Sequence, residues 1–103
     1  MRLALDTRKD EDRTLVTARG SIDLHSSASL QSHLIGLLDE GDRQIVVDLA
    51  AVDFCDSSGL NVLVRAYKHA RVTNAALVVT GAQGRVQNVL RTTGLDKYLI
   101  REL

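Results

Sequence analysis

Two short runs of aliphatic residues, QIVVDL (44–49) and AALVVTG (75–81), are too short to form helices and have the composition of strands buried in a sheet. Each follows a segment with helical periodicity, the first over about 26–39 and the second from the DSSG segment at 56–59 to about Asn74. Strands that alternate with helices predict a mostly parallel sheet joined by right-handed crossovers. The chain is therefore expected to adopt an α/β fold, with QIVVDL as a central strand covered on both faces.

The remaining segments extend this order at both ends. RLALD (2–6) and TLVTARG (14–20) alternate apolar and polar residues around a charged connection, which favours a hairpin. QGRVQNVLRTTG (83–94) predicts a short helix that ends at Gly94, and KYLI (97–100) is expected to add a last short strand. The first helix can be capped by Ser26 or Ser27 and ended by Gly41, and its inward residues are expected to be Leu30, Leu34, Leu37 and Leu38. In the second they are Leu60, Leu63, Val64, Tyr67 and Ala70, and in the third Val86, Val89 and Leu90.

Composition narrows the class of protein. The 103 residues fit one domain, and 13 basic side chains cancel 13 acidic ones, so no net field favours nucleic acid or anionic lipid. The single cysteine, Cys55, excludes a disulfide within the chain and a multi-cysteine metal site, and no uninterrupted apolar stretch reaches the roughly 18 residues of a membrane span. We expect a cytoplasmic protein without cofactor or metal, whose partners are proteins. A monomer is expected, and a dimer is the open alternative.

The segment DFCDSSGLNVL (53–63) lies where a predicted strand gives way to a helix. If the second, third and fourth strands are parallel, the loops at 20–23, 53–59 and 81–85 leave the same edge of the sheet, where sites in α/β proteins gather. A serine here can cap the helix, but Gly59 in the first turn costs about 1 kcal/mol relative to alanine unless close approach is required. A hydrolase would need a base for the serine, and neither a nucleophile elbow nor a phosphate-binding glycine motif occurs. A phosphate acceptor needs only an exposed hydroxyl, because the kinase supplies the catalytic groups. The phosphate would lie beside the free N–H groups that begin the helix.

VDFCDSSGLNVLVRAYKHA, with RGSIDLHSSASL before it and LVVTGAQGRVQNVLRTTGLDKYL after it, resembles the STAS-domain anti-sigma-factor antagonists of bacteria over essentially the entire chain. The D-S-[ST]-G-L segment is the most specific part of the resemblance. It implies a single STAS-like domain over residues 1–103, with a mixed, mostly parallel sheet of four to five strands and three to four helices. It also implies a regulatory binding protein and not an enzyme.

The resemblance further implies that Ser57 is phosphorylated by a cognate anti-sigma factor, itself a serine kinase of the GHKL type. The unmodified antagonist binds that kinase and frees a sigma factor, phosphorylation releases the antagonist, and a PP2C-type phosphatase restores it. Carried over to this chain, Asp56 presents the acceptor, Ser58 is the adjacent hydroxyl residue and Gly59 permits close approach. Asp23 in the neighbouring loop is expected either to contact the partner or to serve as a turn residue. Asn61, Val62 and Arg65, off the predicted inward face of the second helix, are expected to contact the kinase.

Two other functions remain open at this point. Some STAS domains act without phosphorylation, as scaffold, lipid-transfer or transporter-associated subunits. An enzyme that uses Ser57 as a nucleophile would need a base, and although His25, His33 and His69 supply candidates, the sequence places none of them beside the serine.

Overall fold

The structure, a computed structural model, describes residues 3–95 and residue 97 of the chain. In chain order its elements are β1 (Leu3–Lys9), β2 (Thr14–Ile22), α1 (Ser27–Asp39), β3 (Gln44–Cys55), α2 (Ser57–Val72), β4 (Ala76–Thr80) and α3 (Gly84–Thr93). This is the predicted order of strands and helices. Of the strand expected over 97–100, all but Lys97 lies outside the described residues.

The four strands form one sheet in the order β1-β2-β3-β4. β1 and β2 are an antiparallel hairpin, whereas β2 with β3 and β3 with β4 are parallel pairs. The crossovers of the two parallel pairs are α1 and α2, which contact each other. The expected α/β domain with a mixed, mostly parallel sheet is therefore confirmed, with four strands and three helices in the described part of the chain.

One hydrophobic core joins the three helices to alternate residues of the strands. Ile45, Val47 and Leu49 of β3 belong to it and are at most 1% exposed. The other face of β3 is less well covered: Val46 is buried outside this core, Asp48 is half-buried and Ala50 is exposed. The expectation that this strand is covered on both faces holds at Val46 and is wrong beyond it.

β3 is twice as long as the sequence pattern suggested, and its second half carries two irregularities. Between Thr17 and Arg19, and again between Gly20 and Ser21, one extra residue of β3 is inserted opposite β2. Each insertion shifts the inward positions by one, so the buried residues after Leu49 are Val52 and Cys55. Such bulges bend and twist a strand, and they are frequent near functional sites. Here they lie immediately before the segment that leads into α2.

The inward face of α2 differs from the predicted one. Its buried residues are Gly59, Val62, Leu63, Ala66 and Ala70. The larger side chains of Leu60, Val64 and Tyr67 are only half-buried. Three of the inward residues, Gly59, Ala66 and Ala70, are small, which lets the helix axis approach the sheet, and the bulky residues then flank the contact. No helix in the described residues is long and apolar enough to cross a membrane.

Candidate functional site

The loops that follow β2 and β3 meet at the carboxyl edge of the sheet. The backbone N–H of Asp56 donates a hydrogen bond to the carbonyl of Ile22 (3.1 Å), which joins the start of α2 to the end of β2. The loop after β4 begins well before the end of β3, because β4 pairs only with Gln44–Asp48. Gly81 lies against Asp48 and Ala50, on a strand that runs on for roughly 20 Å before α2 begins. The structure thus brings together two of the three predicted loops.

Asp56, not a serine, caps the amino end of α2. Its backbone is extended (φ −96°, ψ −170°), as a capping residue requires, and its Oδ1 accepts from the N–H groups of Ser58 (2.9 Å) and Gly59 (3.2 Å). The alternative in which a serine at this position caps the helix is therefore wrong. Two N–H groups expected to be free for a phosphate are already bonded to a carboxylate.

The two adjacent serines have different surroundings. The hydroxyl of Ser58 donates to Asp56 Oδ1 (2.8 Å), and the residue is half-buried. Ser57 is exposed, and its hydroxyl forms no hydrogen bond with any residue that the structure describes. The arrangement therefore leaves the hydroxyl of Ser57 available to a reactant from solvent, while that of Ser58 is held.

Gly59 permits a close approach, but within the chain and not toward a partner. The residue is buried, and a Cβ built on it would lie 2.6 Å from Cγ2 of Ile22 and 2.7 Å from Sγ of Cys55. Real Cβ atoms do not approach other heavy atoms so closely. The assignment of Gly59 to a partner contact is corrected accordingly: the glycine seats the first turn of α2 on β2 and β3.

Asp23 organises the loop that joins β2 to α1. Its Oδ1 accepts from the backbone N–H groups of His25 (2.9 Å) and Ser26 (3.0 Å). The bond from Ser26 contributes most to lowering the pKa of Asp23 below its usual value, and the bond from His25 adds to it. These hydrogen bonds give Asp23 the role of a turn residue. Because the residue is only half-buried, part of its side chain remains accessible.

The outer face of α2 carries two of the three residues predicted to contact a partner. Asn61 and Arg65 are exposed and follow Ser57 at intervals of four residues, so all three lie along one side of the helix. Val62 is only 4% exposed and belongs to the core. Its predicted exposure was wrong because the inward face of the helix had been assigned to the larger residues.

Two of the three histidines make side-chain contacts between elements of the fold. His33 on α1 is hydrogen-bonded to the hydroxyl of Thr7 on β1, and His69 on α2 is bonded to Asp39 on α1 (2.8 Å). The backbone of His25 belongs to the turn organised by Asp23. Among the described residues, no three of the His, Cys, Asp and Glu side chains are grouped as a metal site would require.

Cys55 lies beneath the first turn of α2. Burial raises the pKa of its thiol to about 11, and the neighbouring carboxylate of Asp56 contributes in the same direction. Its Sγ contacts the carbonyl of Asp56 at 3.7 Å. A helix start ordinarily favours a thiolate, so burial and the acidic neighbour outweigh the helix here.

We predict that Cys55 reacts slowly with iodoacetamide at pH 8 in the folded protein and rapidly in urea.

Because the folded pKa of Cys55 lies above the unfolded value of 9.0, the thiol stabilises the fold fully below pH 9 and progressively less between pH 9 and 11. The difference in unfolding free energy between the wild type and Cys55→Ala, measured across this range, should shrink as the pH rises. A difference that stays constant with pH would contradict the assignment.

Comparison with known proteins supports the resemblance. The family model described as "STAS domain" matches residues 4–102. An anti-sigma-B factor antagonist of Staphylococcus epidermidis is 28% identical over 99 residues, which are 96% of this chain and 92% of that protein. Proteins of this kind are regulatory binding proteins and not enzymes, as the sequence predicted.

Solved structures share the fold. An anti-sigma factor antagonist from Mycobacterium paratuberculosis superposes with a TM-score of 0.83 at 24% identity, covering 99% of this chain and 88% of that one. The Bacillus cell-fate determinant SpoIIAA in its phosphorylated form superposes with a TM-score of 0.76 at 14% identity, covering 97% and 92%. The family match spans nearly the whole chain and the fold is shared with these structures, so the chain belongs to the STAS domain family, as a relative of the anti-sigma-factor antagonists.

Proposed function

We propose that this chain is an anti-sigma-factor antagonist whose binding is switched off by phosphorylation of Ser57. The observation that carries the proposal is the contrast between the two serines: Ser57 is exposed with an unbonded hydroxyl in the described structure, whereas Ser58 is bonded to Asp56. The partner is a cognate anti-sigma factor of the GHKL serine-kinase type. The unmodified chain binds it in the cytoplasm and releases a sigma factor.

In the reaction the hydroxyl oxygen of Ser57 attacks the γ-phosphorus of the kinase's ATP. The Oγ–P bond forms, the bond to the β-phosphate oxygen breaks, ADP leaves, and the hydroxyl proton passes to a base of the kinase. The contribution of this chain to the reaction is to position the hydroxyl of Ser57. Its acceptor loop is fixed by the Asp56–Ile22 backbone bond and by the packing of Gly59, so the hydroxyl is held in place before the kinase arrives.

Few groups near Ser57 are available to neutralise the negative charge of the added phosphate. It brings a charge of about −1.5 to −2 at neutral pH. The N–H groups of Ser58 and Gly59, which would otherwise bind it, already donate to Asp56, and that carboxylate is itself negative. The new charge is therefore presented to the partner, which must desolvate it in order to dock. A PP2C-type phosphatase that hydrolyses the phosphoserine would restore the binding surface.

Phosphorylation by the cognate kinase tests the proposal directly. Incubation with kinase and ATP, followed by peptide mass spectrometry, should place one phosphate on Ser57. Ser58→Ala serves as the matched control, because it removes the neighbouring hydroxyl and should still accept one phosphate, whereas Ser57→Ala should accept none. A phosphate on Ser58 alone would overturn the assignment.

A further inference from the structure

Leu24 is exposed beside the acceptor loop. It lies in the connection between β2 and α1, and 73% of it is accessible. Among the described residues, Leu24 and Val72 are the two large hydrophobic residues that are exposed. Isolated exposed hydrophobic residues are common, so exposure alone assigns no role to either.

The loop that carries Leu24 is held by hydrogen bonds on both sides of the residue. Asp23 on one side accepts from the N–H groups of His25 and Ser26, as described above. The Ser26 hydroxyl donates to the carbonyl of Ser21 (2.8 Å) and accepts from the N–H of Asp23 (2.9 Å). The backbone of Leu24 is therefore ordered before any partner binds, which lowers the entropic cost of using it as a contact.

The position of Leu24 places it within one interface with Ser57. Leu24 is two residues from Ile22, whose carbonyl accepts from the N–H of Asp56, and Ser57 follows Asp56. Chain geometry then limits the distance between the Cα atoms of Leu24 and Ser57 to about 17 Å at most. A typical interface covers about 800 Å² on each partner, so one interface centred on Ser57 is wide enough to include Leu24.

We propose that Leu24 is the apolar anchor with which this chain docks on its kinase, a role that rests on the function proposed above. The leucine inserts into an apolar socket on the kinase. Asp23 precedes Leu24 in the chain and Asp56 is hydrogen-bonded to the end of β2, so the complementary socket is bordered by basic side chains. Anchors of this kind, ordered in advance and surrounded by polar residues, carry a large share of binding energy.

The test compares Leu24→Ala with Val72→Ala, a matched truncation of the other exposed hydrophobic residue. Val72 ends α2, the helix that Ser57 begins, and is 84% exposed. Binding to the purified cognate kinase is measured by titration calorimetry, and phosphorylation of Ser57 by mass spectrometry. We expect Leu24→Ala to weaken binding at least tenfold and Val72→Ala to change it less than twofold. Thermal unfolding of both variants checks that neither loses its fold.

Two results would overturn the inference and leave the proposed function standing. One is that Leu24→Ala binds the kinase with an affinity within twofold of that of the wild type, while the wild type itself binds the kinase and is phosphorylated on Ser57. The other is an equal loss of affinity in the two variants, which would show a nonspecific effect of exposed apolar surface. If the wild-type chain is neither bound nor phosphorylated by any kinase captured with it, the proposed function fails, and the role of Leu24 fails with it.

Discussion

Replacing Gly59 by valine is expected to lower the free energy of unfolding by about 3 kcal/mol, the upper part of the range for overpacked sites. The first added carbon alone would lie 2.6 Å from Ile22 Cγ2 and 2.7 Å from Cys55 Sγ. Both neighbours are fully or almost fully buried, at 0% and 5% exposure, so neither side chain can turn away into solvent. The first turn of α2 must then move off the sheet, which also disturbs the cap at Asp56.

Gly36 offers a control for the effect of removing a glycine from a helix. It lies within α1, and a Cβ built there meets no atom within 4 Å. Gly36→Ala should therefore stabilise the chain by about 0.5–1 kcal/mol, because alanine is the better helix former. Urea denaturation followed by circular dichroism measures both changes. A Gly59→Val protein as stable as the wild type would show that α2 does not depend on this contact.

A second consequence concerns the acceptor. Ser57 and Gly59 belong to the same helical turn, so a substitution that lifts this turn also moves the hydroxyl relative to the rim of the sheet. The milder Gly59→Ala variant should retain its fold and accept phosphate more slowly than Gly36→Ala under the same conditions. The contact of Gly59 with the sheet therefore determines both the position of the first turn of α2 and the position of the Ser57 hydroxyl.

The elements that the sequence predicted well are those whose signals are local. α1 combines a leucine stripe with a terminal glycine: Gly41 adopts φ +101° and its N–H donates to the carbonyl of Leu38. The end of α3 at Gly94, with φ +78°, is of the same kind. A positive φ is accessible to glycine at little cost, so the residue type itself marks the boundary.

The face of α2 and the length of β3 could not be predicted in the same way. Hydrophobic periodicity gives most weight to large side chains, and it selected Leu60, Val64 and Tyr67, whereas the tightest contact is made by Gly59. In β3 the two insertions opposite β2 change the spacing of buried residues from two to three. A strand with an irregular period has no simple pattern in the sequence, so its second half was not recognised.

The place of the candidate site was predictable from topology, and its internal bonds were not. Parallel strands put the loops after β2 and β3 side by side. Asp56, Ser57 and Ser58 are all residue types that cap helices, so the sequence could not decide which of them does so. The exposure of Leu24 was not predicted, since an isolated leucine in a short loop has no pattern that distinguishes an exposed residue from a core residue.

Ser57→Asp is expected to weaken binding to the kinase about 30-fold relative to Ser57→Ala, which should bind as the unmodified wild type does. The new carboxylate lies next to Asp56, whose own charge is only partly offset by the N–H groups it accepts from. A like charge placed in an interface costs several kcal/mol when both groups are desolvated, and about 2 kcal/mol corresponds to the 30-fold change. A true phosphoserine, with up to twice the charge, should weaken binding further.

Ser32→Asp supplies the matched control, because it adds the same charge at an exposed position within α1. Its affinity for the kinase should remain within twofold of that of the wild type.

Measuring the affinities of the variants at low and at physiological ionic strength separates a general charge effect from a local one. Screening weakens the interaction of exposed, distant charges, whereas a desolvated charge at the centre of an interface keeps most of its cost. Equal affinities for Ser57→Ala and Ser57→Asp at both salt concentrations would mean that negative charge at this serine does not control docking.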